Sequence, residues 1–379
     1  SEAAPNNYTY YTSLPANATQ YIATGLNTNT RYFWKVIPYS EGNTQTVLDM
    51  NDSTRCSMTG TYSIGPSGQF LNIRNAQDSL ELWGIVGNTN WELNAGYNFS
   101  TETLPVRFNQ LPPCHEFNNT ITVRPATGVN ISYTRLAFQP VFLIDSVKNI
   151  IIDGRAGGTG NTPALALESD GELIRIQNGW NNTIRYTELR SNSNSTTGPL
   201  VVQASLGGGA HHNTIEYNLM HDRGNAFNLP TRFLIGLVSN NAENKLNTVR
   251  QNNFSNWSGL AMDIIGNGWR VDSNSFYATR SITMNDTSGF IHFRTGDQNY
   301  TDTLRGNFFG GTDALAAGNV MQLKTGSTFT GVKLAGNAWF RNNRFRRMKL
   351  ETNSTPSALN SVISLLQAGK EGGGGFPVN

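Results

Sequence analysis

Along the second half of the chain one short pattern of apolar and polar positions keeps returning: apolar, two residues, Asn, one residue, large apolar. It reads Ile215-Glu-Tyr-Asn218-Leu-Met220, Val249-Arg-Gln-Asn252-Asn-Phe254, Val271-Asp-Ser-Asn274-Ser-Phe276, Leu304-Arg-Gly-Asn307-Phe-Phe309 and Phe340-Arg-Asn-Asn343-Arg-Phe345. An earlier copy, Ile184-Arg-Tyr-Thr187-Glu-Leu189, has Thr in the Asn place. A still earlier one, Ile150-Ile-Ile-Asp153-Gly-Arg155, has Asp there and departs at Arg155. The copies begin at 150, 184, 215, 249, 271, 304 and 340, so the interval varies from 22 to 36 residues. A fixed strand signature at uneven spacing predicts stacked β-coils, whose strands must align while the loops between them vary. A helical repeat array would hold its period and show helical patterning, and neither is seen.

The pattern has a physical reading. Its two apolar positions point into the coil and stack on their counterparts above and below, about 4.8 Å away. The Asn sits at a bend, where its amide can bond the same Asn of the next coil. The predicted Asn ladder is Asn218, Asn252, Asn274, Asn307 and Asn343. The position after the first apolar residue reads Arg185, Glu216, Arg250, Asp272, Arg305, Arg341, with alternating sign over the first five. Stacked outward, these form a register-setting charge ladder. The fold expected is all-β, a right-handed parallel β-helix.

Ahead of the repeat, Phe70, Ile73, Ala76 and Leu80 lie on one face of a predicted helix over about 68–84, which Gly84 stops. Trp91 to Tyr97 then opens the coils, from about residue 91 onward. This order resembles the entrance of pectin-lyase-like β-helices, where a helix caps the open coil end. Earlier still, Tyr32, Trp34 and Val36 alternate with Phe33, Lys35 and Ile37, as on a strand. Gly25-Leu26 through Tyr32 resembles the corner before the sixth strand of fibronectin type III domains. Such a sandwich needs about 100 residues, so residues 1–58 are expected to be a partial one and 59–379 the β-helix.

Composition narrows the setting. Charged residues are only 14% of the 379, and 47 Asn and 38 Gly stand in their place, as turn-rich β structure requires. Net charge is +2 without a long basic run, which argues against nucleic acid. The densest basic cluster, Arg341, Arg344, Arg346, Arg347 and Lys349, reads as a solvated coil edge or a binding patch. No apolar run reaches the 18 residues of a membrane span. Cys56 and Cys114 are a candidate disulfide or two free thiols. Thirteen N-x-S/T sequons, Asn98, Asn130, Asn256 and Asn299 among them, exceed the roughly 7 expected from composition, which points to export.

Candidate chemistry is sparse. The Asn-Thr-Asp, Asp-Asp, Gly-His-Gly and Arg-Ile-Lys runs of polygalacturonase-like hydrolases are absent. His211-His212 before one coil strand and His221-Asp222-Arg223 after it are candidates for proton abstraction beside a uronate. His292, Arg294 and Asp297 form a second group, and polar loop decoration is the plain alternative for both. Trp180, Trp257 and Trp269 are candidates for a sugar-stacking strip, or loop aromatics closing the coil edge; Trp180 and His211 should neighbour each other on the stack.

The succession of Trp34-Lys-Val-Ile-Pro-Tyr39, a lone Cys56, Ser63-Ile-Gly-Pro-Ser-Gly-Gln-Phe70, a helix and Gly84-Ile-Val-Gly87 resembles secreted surface proteins of Bacteroidetes bacteria. In those, fibronectin-like and right-handed β-helix regions alternate, commonly with a type IX secretion signal. The resemblance implies an extracellular, cell-surface structural or adhesive protein, a stalk or filament component, with surface glycans or its own copies as partners. It implies no cofactor, with calcium optional, and no catalytic residues. Gly372 to Asn379 reads as a loop cut short, so a longer protein is expected. The alternatives are a polysaccharide lyase or glycosidase and a non-catalytic glycan-binding module.

Overall fold

A computed structural model describes residues 8–366 except 25, 27–29, 39–46, 54–56, 111–118, 136–138, 193–196, 206–207, 225–228, 240–241, 286, 295–299, 326–327, 336 and 353–360. Cys56, Cys114 and Asp297 lie outside the described residues. The chain folds as an all-β, right-handed parallel β-helix. Three sheets of ten, nine and eight strands form its body, and from Ile121–Pro125 onward each coil gives one strand to each sheet in turn.

The ten-stranded sheet carries the repeat. Thr183–Arg185, Thr214–Glu216, Thr248–Arg250, Arg270–Asp272, Asp302–Arg305 and Ala338–Arg341 stack parallel and in register. Ile184, Ile215, Val249, Val271 and Leu304 form one buried column. The second apolar position forms another in the eight-stranded sheet: Met220, Phe254, Phe276, Phe309 and Phe345. Its rings stack with centroids 4.9, 5.0 and 4.4 Å apart from Phe254 to Phe345. Each such contact adds about 0.5–1.5 kcal/mol beyond area burial.

Three expectations need correction. Ile184 pairs with Ile152, not Ile150, so the earliest copy is shifted by two residues and Asp153 lies beside Arg185. Both Ile150 and Ile152 are buried, and a shift of two keeps a strand's inward face inward. The bend residue is the one before the ladder Asn: Tyr186, Tyr217, Gln251, Ser273, Gly306 and Asn342 have φ between +52° and +65°. The Asn is therefore selected for its amide, not its backbone. Parallel stacking also starts earlier than residue 91, with Met58–Ile64 against Ile85–Leu93. Of Met58–Ile64 only the two end residues are buried, which hid its inward pattern.

The helix spans Ile73–Trp83, starting where Asn72 accepts the Asn75 N–H at 2.9 Å and ending at Gly84 with φ +60°. Ile73, Ala76 and Leu80 enter the core. Phe70 lies ahead of the helix, bridged to Ile64. Near the N-terminus, Arg31–Val36 and Leu48–Ser53 pair antiparallel. Tyr32 and Trp34 stack on one face as the alternation predicts, and Tyr11 meets Trp34 edge-on at 5.6 Å. No described side chain of this segment is buried.

Candidate functional site

The candidate residues fall on separate parts of the stack. His211 ends the strand Gly209–His211, which pairs with Glu243–Lys245 at a corner. His212 follows it in a left-handed conformation, exposed, its ring edge-on to His211 at 6.3 Å. His221 and Asp222 close the strand Leu219–Asp222 of the eight-stranded sheet, and Arg223 follows. His292 belongs to Thr287–Phe293 of the nine-stranded sheet, and Arg294 follows it. Because successive strands of a coil turn to different sheets, closeness in sequence does not bring these groups together.

Around His221 the outward side chains form a charge-balanced network. Its Nε2 bonds Glu188 at 2.9 Å and its Nδ1 the Asp222 carbonyl at 2.7 Å. Arg190 donates to the same Glu188 oxygen at 2.8 Å. Arg223 splits its guanidinium between Glu168 and Asp170, both at 2.7 Å. Asp222, 3% exposed, accepts from Arg280 at 2.6 Å, from Asn256 at 2.8 Å and from the Gly224 N–H. Burial pulls the His221 imidazole down, but its bonds to Glu188 and the Asp222 carbonyl outweigh this and hold it above its usual value. The His221 bond, then Arg190, holds Glu188 down at about 2 despite its desolvation. A general base needs an ionisation near the working pH and a free lone pair aimed at substrate. His221 has both nitrogens committed, and Glu188 is shared by two cations.

The second group is similar. Asp263, 2% exposed, binds Arg232 at 3.0 Å and Arg294 through two contacts, one of them Nη2–Oδ2 at 2.9 Å. His292 lies beside Asp263 in the ladder and touches the Thr330 carbonyl at 3.3 Å. Burial holds its imidazole below the usual value.

The tryptophans do not form an exposed strip. Trp257 and Trp269 are 1% and 0% exposed, and their Nε1 atoms bond the Gly289 and Asn244 carbonyls at 2.8 and 3.2 Å. Each follows a residue in the left-handed conformation, Asn256 at φ +60° and Gly268 at φ +66°, and both rings turn inward. Trp180 is half-buried and bridges Lys148 on one side and His211 on the other, the adjacency that their spacing predicts. The sequon residue Asn256 is likewise buried and committed to Asp222 and Thr279. Among the described residues no three His, Cys, Asp or Glu side chains gather so as to hold a metal ion.

What the molecule does build continuously is ladders. In the Asn ladder, each of Asn218, Asn252, Asn274 and Asn307 donates both its N–H and its Nδ2 to the next amide oxygen, at 2.9–3.0 Å. Each Nδ2 also donates to a carbonyl one coil back, such as that of Val249 to Asn274. Thr187 ends this ladder on Asn218. A second one, Asn182, Asn213 and Asn247, runs parallel to it on the other bend of the same strands. Sequence reasoning missed it, although Asn-Thr-Ile184, Asn-Thr-Ile215 and Asn-Thr-Val249 carry its signal. The charge ladder pairs Arg185 with Asp153 at 2.9 Å, Arg250 with Glu216 at 2.6 Å and Arg305 with Asp272 at 3.0 Å.

No protein-family model, curated protein or solved structure matches this chain. Among the described residues no helix is long and apolar enough to cross a membrane.

Proposed function

We propose that the chain is a rigid scaffold of an extracellular surface, a stalk or filament segment, rather than a polysaccharide-degrading enzyme. One observation supports this most: the histidines and carboxylates proposed for catalysis at His221 and His292 are committed to ion pairs and hydrogen bonds along the stack. Polar groups tied in this way hold register between coils and resist bending. Broad contacts with surface glycans or other copies then act through the outward faces.

The test is incubation with a panel of acidic and neutral polysaccharides, with and without calcium. New reducing ends and unsaturated uronates are both measured. No release from any member is expected. Release from one, abolished by His221→Ala or Arg223→Ala, would place the chain among lyases or glycosidases instead.

A further inference from the structure

The bend between the ten- and eight-stranded sheets sets the same backbone demand in coil after coil. Its residue, one before the ladder position, holds φ between +52° and +65°. Glycine and asparagine suit that conformation, and bulky side chains do not. From Gln251 onward the position takes small or polar residues: Gln251, Ser273, Gly306 and Asn342. Two neighbouring coils instead place tyrosine there, Tyr186 and Tyr217. The backbone does not ask for these residues, so their use lies in the rings.

The geometry of the pair is specific. The two rings lie face to face, 5° from parallel, with centroids 4.7 Å apart. Arg155 covers the ring of Tyr186 at 4.3 Å and is itself held by Asp153 at 2.7 Å. Both tyrosines are half-buried, so each ring is held in place while part of it meets solvent. Neither hydroxyl has a hydrogen-bond partner among the described residues, whereas those of Tyr97 and Tyr300 engage Glu102 and Lys245. Tyr11 and Tyr21 also meet, but edge-on at 6.2 Å. The stack lies at the rung where the amide ladder ends. Thr187 gives its N–H and Oγ1 to Asn218 and, having no Nδ2, reaches no carbonyl one coil back. That ladder therefore holds the Tyr186 coil only through Asn218.

We propose that Tyr186 and Tyr217 are an oxidative cross-linking site, joined as dityrosine by hydrogen peroxide and a haem peroxidase. The peroxidase removes one electron and one proton from each phenol. The two phenoxyl radicals join through one ring carbon ortho to each oxygen. Each ring then regains aromaticity by passing that carbon's hydrogen to its oxygen. One carbon–carbon bond forms, two hydrogen atoms leave the protein, and peroxide is reduced to two waters. The stack aligns the rings before the radicals form, so coupling within the chain outruns coupling between chains. The bond makes the last connection of the ladder covalent and closes the loop of residues 186–217, which restricts the unfolded chain. This inference concerns a modification and stands apart from the scaffold reading.

The test treats the whole chain, at high dilution, with a haem peroxidase and hydrogen peroxide, then denatures it and digests it with trypsin. Arg190 is the only cleavage point between the two tyrosines, so residues 186–190 and 191–223 separate unless the rings are joined. The expected product is those two peptides held together with the loss of two hydrogen atoms. Dityrosine fluorescence and a Tm raised by roughly 5 °C are expected with it. Tyr186→Phe and Tyr217→Phe each keep a ring in the stack, and each is expected to abolish the linked pair and the Tm rise. Oxidation of Tyr10, 78% exposed, shows that the oxidant has acted. Oxidised Tyr10 without the linked pair would overturn the proposal. So would a linked pair that leaves the Tm unchanged, or dityrosine fluorescence undiminished in both Phe variants.

Discussion

A buried Asn amide offers two donors and an acceptor, and leaving any of them unmade costs about 1–3 kcal/mol. Asn274 meets this demand from both sides: it accepts from Asn252 and donates to Asn307 and the Val249 carbonyl. Asn274→Ala strands partners on two coils at once. Its expected cost is on the order of 2–4 kcal/mol in denaturant titration, against little for exposed Gln251→Ala one coil back. Asp302 shows the reverse case. It is 2% exposed and accepts the Trp269 N–H at 2.8 Å, and burial pushes its carboxyl up to about 7. A carboxyl whose folded value is raised contributes stability at low pH that is lost as pH climbs from about 4 to 7. Asp302→Asn is therefore expected to raise the Tm at pH 8 and to leave it nearly unchanged at pH 4. The His221–Glu188 pair works in the opposite sense at its acid limb. Glu188's share is lost as pH falls from about 4.5 to 2. The share of His221 is lost as pH rises through its elevated folded value.

At the scale of strands, burial decides which rungs matter. Asp153 is fully buried and serves Arg155 and Arg185 at 2.7 and 2.9 Å. Asp153→Asn leaves two guanidinium groups without their counter-charge, and a loss of about 3 kcal/mol is expected. Arg250→Ala removes a half-exposed partner of Glu216 and should cost about 0–1 kcal/mol. Denaturant midpoints of the two variants, measured together, check the contrast. The same distinction explains what the sequence made legible. Inward apolar positions and the Asn beside them recur because every coil imposes the same demand there, so the columns through Ile215 and Phe254 could be read directly. The network at His221 could not, because Glu168, Glu188 and Arg280 reach it from neighbouring coils and follow no shared pattern. Aromatics mislead for a related reason: Trp257 and Trp269 sit beside strands like loop residues, yet the bend turns both rings into the core.

For the whole molecule, parallel coils stack without a break from Met58 to the strand Ser361–Leu366. Every interior coil pairs with the one before and the one after, so local opening anywhere breaks ladder bonds on two sides. That makes the body stiff, and among the described residues the Asn343 N–H is the ladder donor with no acceptor. Backbone amide hydrogen exchange, resolved to single residues, tests this most directly. The N–H groups of Asn218, Asn252, Asn274 and Asn307 are expected to exchange only through global unfolding, and that of Asn343 orders of magnitude faster. Ladder amides that exchange as fast as that of Asn343 would contradict a continuous, register-locked stack.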